Sequence, residues 1–288
     1  MSLTRLLSGA AFTALPFTAS AVDLNARDFF TAPAGTELGI LYLPATRARN
    51  FHGPADVYGK AELRTNVLAA RYVYFTDVCG VLCTPQVIIP YADIDARLPG
   101  ATAHSSKRGI ADPQIGATLF FINDSASRTY SGLFSLLTVP LGEYHSSQPD
   151  VSPGGNRWGL NFVYNYTMGI GKKWVIEGNA EAQFFGKNDD YAGQELKQKP
   201  VYRFQGFASY DFTDSTFGSL KFVHGTGGDL RLNNRTLDDT DQKYTQIGFE
   251  IGHWFTRRNQ LLISVSRNVE TENGFHGSQG LLRIVHAF

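Results

Sequence analysis

Residues 157–212 constrain the fold more than any other part of the chain. They read as three runs in which apolar and polar residues alternate. In the first, Trp158, Leu160, Phe162, Tyr164, Tyr166 and Met168 share one face. Gly159, Asn161, Asn165, Thr167 and Gly169 share the other, with Val163 its one apolar member. The second sets Trp174, Ile176, Ala180, Ala182 and Phe184 against Glu177, Asn179, Glu181 and Gln183. The third sets Tyr202, Phe204, Ala208, Tyr210 and Phe212 against Arg203, Gln205, Ser209 and Asp211. A period of two is the signature of a strand. Each run is longer than the usual soluble strand of about five or six residues. An aromatic face opposite a charged one suits a strand with lipid outside and an aqueous lumen inside.

The start of the chain reads as an export signal. Arg5 precedes the apolar run LLSGAAFTALPFTA, and Ala19-Ser20-Ala21 is a small-x-small cleavage site, giving a signal peptide over 1–21. No later stretch supplies the roughly 18 uncharged apolar residues of a membrane-spanning helix. Formal net charge is zero, which leaves no footprint for nucleic acid. Cys79 and Cys83 lie in TDVCGVLCT. In an exported chain they are expected to form a small local disulfide across a turn. Two cysteines without a nearby histidine make no metal site, and nothing implies a cofactor.

Residues 22–34 are polar, without period, and carry Phe29 and Phe30. They either stay in the periplasm or fold back into the lumen. The barrel is expected over 35–288, with strands near 35–45, 62–76, 85–97, 110–123, 129–140, 157–170, 174–186, 200–212, 216–226, 243–256, 260–269 and 279–288. A bulge is expected near Arg71, where the alternation slips. Pro90 sits awkwardly for a central strand. Connections after even-numbered strands are short and those after odd-numbered ones long, which matches periplasmic turns and outer loops. The count predicts a 12-stranded antiparallel transmembrane β-barrel. Backbone groups in lipid must all be paired, so strand twelve has to meet strand one.

With charged faces turned inward, the lumen would be lined by Arg64, Asp93, Asp95, Glu177, Glu181, Arg203, Asp211, Lys221, Glu250 and Arg283. Such charges either pair across the bore as structure or tune the passage of ions. Phe207, Tyr244 and Trp254, with Phe29 and Phe30, are the candidates for an aromatic path. The C-terminal Phe288 lies on an outward stripe with Ile284 and Leu282, as in strands recognised by the barrel assembly machinery. Enzyme chemistry has weak support. His104 and His145 lie near serines, but there is no G-x-S-x-G and serine is common in loops. The acidic stretches Asp189-Asp190 and Asp238-Asp239-x-Asp241 offer divalent ions or lipopolysaccharide a place to bind, but they lack calcium-loop spacing and acidic side chains are ordinary on solvated loops.

GTELGILYLP, GIADPQIGATLF and PGGNRWGLNFVYNY, in that order and spacing, resemble the outer-membrane proteins associated with the meta-cleavage pathway of phenol degradation, also called SphA-like transporters. The resemblance implies a monomeric twelve-stranded channel in the outer membrane of a Gram-negative bacterium. It implies small, rather hydrophobic solutes such as aromatic compounds and entry of 22–34 into the lumen. As an outer-membrane barrel the chain is also expected to contact outer-membrane lipid and lipopolysaccharide. The alternatives are a sealed structural or surface-binding barrel and an outer-membrane lipid hydrolase.

Overall fold

A computed structural model describes residues 23–53, 59–99 and 101–288. The leader expected over 1–21 lies outside them. Twelve long strands among the described residues form one closed antiparallel sheet: β1 (Glu37–His52), β2 (Gly59–Tyr74), β3 (Val81–Arg97), β4 (Gln114–Asp124), β5 (Thr129–Thr138), β6 (Gly159–Ile170), β7 (Trp174–Phe185), β8 (Val201–Asp211), β9 (Thr216–Gly227), β10 (Gln242–Trp254), β11 (Asn259–Glu272) and β12 (Gly274–Ala287). Each pairs with its sequence neighbours. The ring is closed by β1 against β12, from Leu38↔Ala287 to His52↔Gly274.

The outer wall is apolar where it is exposed. Trp158 is 53% exposed, Phe204 49% and Leu220 66%, and Tyr164, Tyr166, Ile176, Phe222, Phe249 and Ile263 are exposed beside them. No soluble monomer keeps so broad an apolar band in water. The band is the lipid-facing surface of a membrane-spanning barrel. Short turns and the chain's C-terminal strand end mark one rim, the turn end; the longer connections, together with the tight turn between β11 and β12, mark the other, the loop end.

Several boundaries differ from the sequence reading. β1 runs on to His52 and β12 starts at Gly274, so the loop expected over 270–278 is paired strand closed by a tight turn at Asn273 (φ 51°). Phe51 meets Phe275 at 5.4 Å and His52 stacks on His276 at 4.9 Å, so aromatic cross-strand pairs extend the ladder. The bulge is not at Arg71. β2 and β3 stay in register from Glu62↔Arg97 to Val73↔Gln86, and the irregularity lies between Ala48 and Asn50. The alternation slips at Arg71 because its neighbours on the inner face, Ala69 and Val73, are apolar. Pro90 is accommodated because the next strand breaks opposite it. Ser105–Ile110 pairs with the loop end of β3, Ala111-Asp112-Pro113 interrupts, and β4 resumes the pairing at Gln114↔Ile88. The Asp112 carboxylate takes N–H bonds from Gly142 (2.8 Å) and Gly155 (2.7 Å), which ties the 139–158 loop over the break.

The expected disulfide is absent: both thiols are free. Cys79 and Gly80 have φ of 56° and 83°, the signature of a two-residue hairpin turn, with Val78 facing Val81. Cys79 is therefore an exposed turn residue, whereas buried Cys83 lies further along the ladder opposite Thr76. Beyond the loop end, Asn188–Tyr191, Gln194–Gln198, Leu230–Leu232 and Arg235–Thr236 form a separate four-stranded sheet around buried Tyr191, Leu196 and Leu230.

Two outcomes follow. Leu220→Arg puts a charge in mid-band and is expected to cost about 2–4 kcal/mol, whereas Arg64→Ala at the loop end stays close to the parent, as read from urea unfolding in liposomes. Mass shifts with a thiol reagent should be identical with and without prior reduction, one adduct forming on exposed Cys79 in the folded barrel.

Candidate functional site

The bore is divided by chemistry. Inward residues of β1, β2, β3 and β5 are largely apolar, with Ile40, Tyr42, Ala69, Val73, Ile88, Phe134 and Leu136 buried there. Phe120, Leu262 and Leu281 join them from β4, β11 and β12, whose inner faces also carry Thr118, Gln260, Ser264 and Arg283, while β6 turns Asn165 and Thr167 inward. Inward residues of β7 to β10 are largely polar or charged, among them Glu177, Asn179, Glu181, Gln205 and Lys221. Into this two-faced bore runs the segment Asp23–Pro33.

The segment is amphipathic to match. Leu24, Ala26 and Phe29 join the apolar cluster, with Phe29 edge-on to Phe120 at 6.3 Å and Phe30 against Tyr130 at 4.9 Å. Its polar groups meet the charged wall. Asp23 pairs with Arg203 at 2.7 Å, and Arg203 also pairs with Glu181 at 2.7 Å. Arg27 pairs with Asp211 at 2.7 Å and lies over the Phe217 ring at 3.9 Å. Asp28 pairs with Arg283. The amides of Ala26 and Arg27 donate to the carboxylates of Glu250 (2.8 Å) and Glu177 (2.9 Å). Asn25 Nδ2 donates to Glu250 at 2.8 Å, and Lys221 Nζ to the Leu24 carbonyl at 3.3 Å. Residues 25–28 form a turn, with the Asp28 amide bonded to the Asn25 carbonyl at 3.2 Å. Two wall carboxylates thus cap the free amides of that turn much as acidic side chains cap a helix start.

Seven of the ten residues read as lumenal point into the bore: Glu177, Glu181, Arg203, Asp211, Lys221, Glu250 and Arg283. Every one but Glu181 touches the segment directly, and Glu181 does so through Arg203. Arg64, Asp93 and Asp95 are corrected: they lie on the outer face. Arg64 is 60% exposed and 3.9 Å from Glu62, Asp95 contacts His104 at 2.9 Å, and Asp93 faces Arg108 across the ladder. The rule of charges inward holds only within the lipid band. Above it the outer face meets water, and the inner face carries Leu63, Ala92, Ile94 and Ala96 instead. Parity gives the signal, since counting by two from Leu68 and Tyr72 reaches Arg64, and from Ile89 and Tyr91 reaches Asp93 and Asp95.

Above the segment, toward the loop end, is a cavity of about 290 Å³. Pro44, Leu63, Val67, Ile88, Ile94 and Phe275 make one side; Asp23, Arg203, Lys221, Tyr244, Gln246 and Ser266 make the other. Of the five aromatic path candidates, only Tyr244 lines it. Phe29, Phe30 and Phe207 seal the floor of the bore or its wall below, and Trp254 is the last residue of β10 at the turn end. The apolar lining was missed because it sits on inner faces that the alternation rule gives to polar groups. A smaller cavity, about 60 Å³, lies where β5 stops short, between Gln114, Asn161 and Arg157 inside and Trp158, Leu160 and Phe184 outside.

Fold and bore together define a twelve-stranded transmembrane β-barrel with a peptide held inside it and an amphipathic cavity above that peptide. The chain belongs to the family described as putative MetA-pathway of phenol degradation, whose model matches residues 46–284. It is similar in fold to an outer membrane channel from Pseudomonas putida F1, with 22% identity, a TM-score of 0.86, and coverage of 92% of this chain and 100% of that one. The transport unit of the autotransporter AIDA-I from Escherichia coli matches at 10% identity and a TM-score of 0.58, covering 96% of each chain. The translocator domain of the autotransporter NalP from Neisseria meningitidis matches at 9% identity and a TM-score of 0.55, covering 90% of this chain and 91% of that one. No curated protein matches the sequence.

The Asp28–Arg283 pair provides a direct check on how the segment is held. Removing one partner of a buried pair strands the other charge, a loss of about 3–5 kcal/mol. Arg283→Met should lower the urea midpoint accordingly, and Asp28→Asn combined with Arg283→Met should recover most of the loss.

Proposed function

We propose that the protein is an outer-membrane channel of a Gram-negative bacterium that admits small, rather hydrophobic molecules such as aromatic compounds. The amphipathic cavity carries this reading. At about 290 Å³ it lies at the small end of ligand pockets. Its apolar side can hold a ring while Tyr244, Gln246 and the Arg203–Lys221 side receive a hydroxyl or carboxyl group. A general porin would line the same space with water-facing charge on every side. The family description, which names phenol degradation, supports the same class of solute, and the fold match is to an outer membrane channel. His104, one of the candidate bases, is engaged with Asp95 and Glu62 on the outer face.

In this reading the turn end faces the periplasm and the loop end the outside. A leader over 1–21 is removed on export, and the mature chain starts with the segment in the bore. In this reading the chain works as a monomer, and its own twelve strands close the sheet without a partner's strand. Phe288, 67% exposed and edge-on to His286 at 4.8 Å, is presented for recognition by the barrel assembly machinery. A solute enters from the loop end, occupies the cavity, and proceeds when the Asp23–Pro33 segment shifts.

The experiment is uptake of a labelled monoaromatic compound into liposomes, with planar-bilayer conductance in parallel. The full barrel should raise uptake above protein-free liposomes while passing little ionic current. Deleting residues 23–33 should raise the conductance several-fold. Uptake equal to the protein-free control, with and without the segment, would mean a sealed structural or surface-binding barrel.

A further inference from the structure

One row of the outer wall carries three arginines, two of which, Arg47 and Arg267, meet no carboxylate among the described residues, while Arg64 shares Glu62 with Arg97. The register sets Arg267 beside Ser278, Ser278 beside Arg47, and Arg47 beside Arg64, so three arginines span four adjacent strands. At about 4.8 Å between strands the row is roughly 14 Å wide. Arg47 is fixed in place by neutral acceptors, the Thr46 carbonyl at 2.8 Å, the Thr65 carbonyl at 3.2 Å and Asn66 Oδ1 at 2.8 Å. Among the described residues, no acid lies within 4.0 Å of Arg47 or Arg267. The nearby acids are already engaged: Glu62 with Arg97 at 2.7 Å, and Glu270 and Glu272 with Lys243 at 3.1 and 3.0 Å.

Directly below this row, on the turn-end side, the wall becomes lipid-facing. A groove of about 1160 Å³ runs there, floored by Ala45 and Gly280 and walled by Phe204, Phe222, Phe249 and Val265. Arg47, Arg267 and Ser278 stand at its head. The fixed Arg47 guanidinium with Arg267 beside it, above an apolar furrow, matches a phosphate-bearing headgroup above acyl chains, because guanidinium pairs with phosphate in charge-assisted bonds and the furrow packs against chain methylenes.

We propose that this surface is a binding site for the phosphorylated glycolipid of the outer leaflet, lipid A. The assignment rests on the outer-membrane orientation given above, which places the arginine row at the outer-leaflet boundary. The width of the row selects a headgroup with more than one phosphate over a glycerophospholipid with one. The bound lipid holds β11, β12, β1 and β2 together at the seam where the ring closes, on the far side of the wall from the amphipathic cavity.

The test uses the full barrel in detergent micelles, with lipid binding read by native mass spectrometry. Bis-phosphorylated lipid A should bind at least tenfold tighter than dephosphorylated lipid A or phosphatidylglycerol. Arg47→Ala with Arg267→Ala should lose about tenfold for the bis-phosphorylated form only. Gly280→Leu should lose affinity by filling the furrow; a Cβ there meets nothing within 4 Å, so the melting temperature should not move. Equal binding of the dephosphorylated lipid or of phosphatidylglycerol would overturn the proposal, as would undiminished binding by the double variant. Because no transport is measured, this result is independent of solute uptake. Failure of uptake with lipid A binding intact would count against the channel and leave the site standing.

Discussion

Backbone hydrogen bonding in lipid governs this molecule. A peptide group left unpaired in the hydrocarbon layer costs several kcal/mol, so the sheet cannot have an edge there. The β1–β12 ladder removes the edge, and its length decides more than closure. Once β12 is drawn up to Gly274, it must turn tightly at Asn273, and β1 must reach His52 to match it. The aromatic pairs at Phe51–Phe275 and His52–His276 then sit where a loop was expected.

Closure creates an interior that a twelve-stranded ring cannot fill by its own side chains alone. The Asp23–Pro33 segment fills the lower part. Its register in the bore is set by charge: Asp23, Arg27 and Asp28 each meet an opposite charge on the wall, while the amides of Ala26 and Arg27 occupy Glu250 and Glu177. Without the segment, Glu177 and Glu250 would face a narrow, poorly solvated bore with too few partners, while Asp211 would keep its pair with Arg128. Buried pairs of this kind add little net stability but specify one arrangement, since any slip leaves charges unmatched. A clamp that is specific yet not strongly stabilising suits a part that, in the proposed function, shifts for a solute to pass.

The wall is asymmetric around its circumference as well as across its thickness. The β1 to β5 side turns mainly apolar groups inward, and the β6 to β10 side turns mainly polar groups inward. The cavity lies where the two sides meet above the segment, and it takes its mixed lining from that division. Pro90 and the Ala111-Asp112-Pro113 break fall within the apolar sector, where the sheet is interrupted and the 139–158 loop is anchored over the gap by Asp112.

By itself the sequence determined the class of fold, because lipid outside and water inside impose a period of two that local residues record directly. The runs at 157–212 carried it, and their parity placed Glu177, Glu181, Arg203 and Asp211 in the bore. It also supplied the strand number and the need for β12 to meet β1. Only the tertiary structure decided where the lipid band stops, and with it the outward placement of Arg64, Asp93 and Asp95. Alternation tells two faces apart but not which medium each face meets at a given height. Nor could local pattern fix which wall residue grips which residue of the Asp23–Pro33 segment, or that Cys79 and Cys83 remain apart. Those outcomes depend on groups more than a hundred residues distant, or on a two-residue turn whose left-handed backbone was invisible in the spacing of the cysteines.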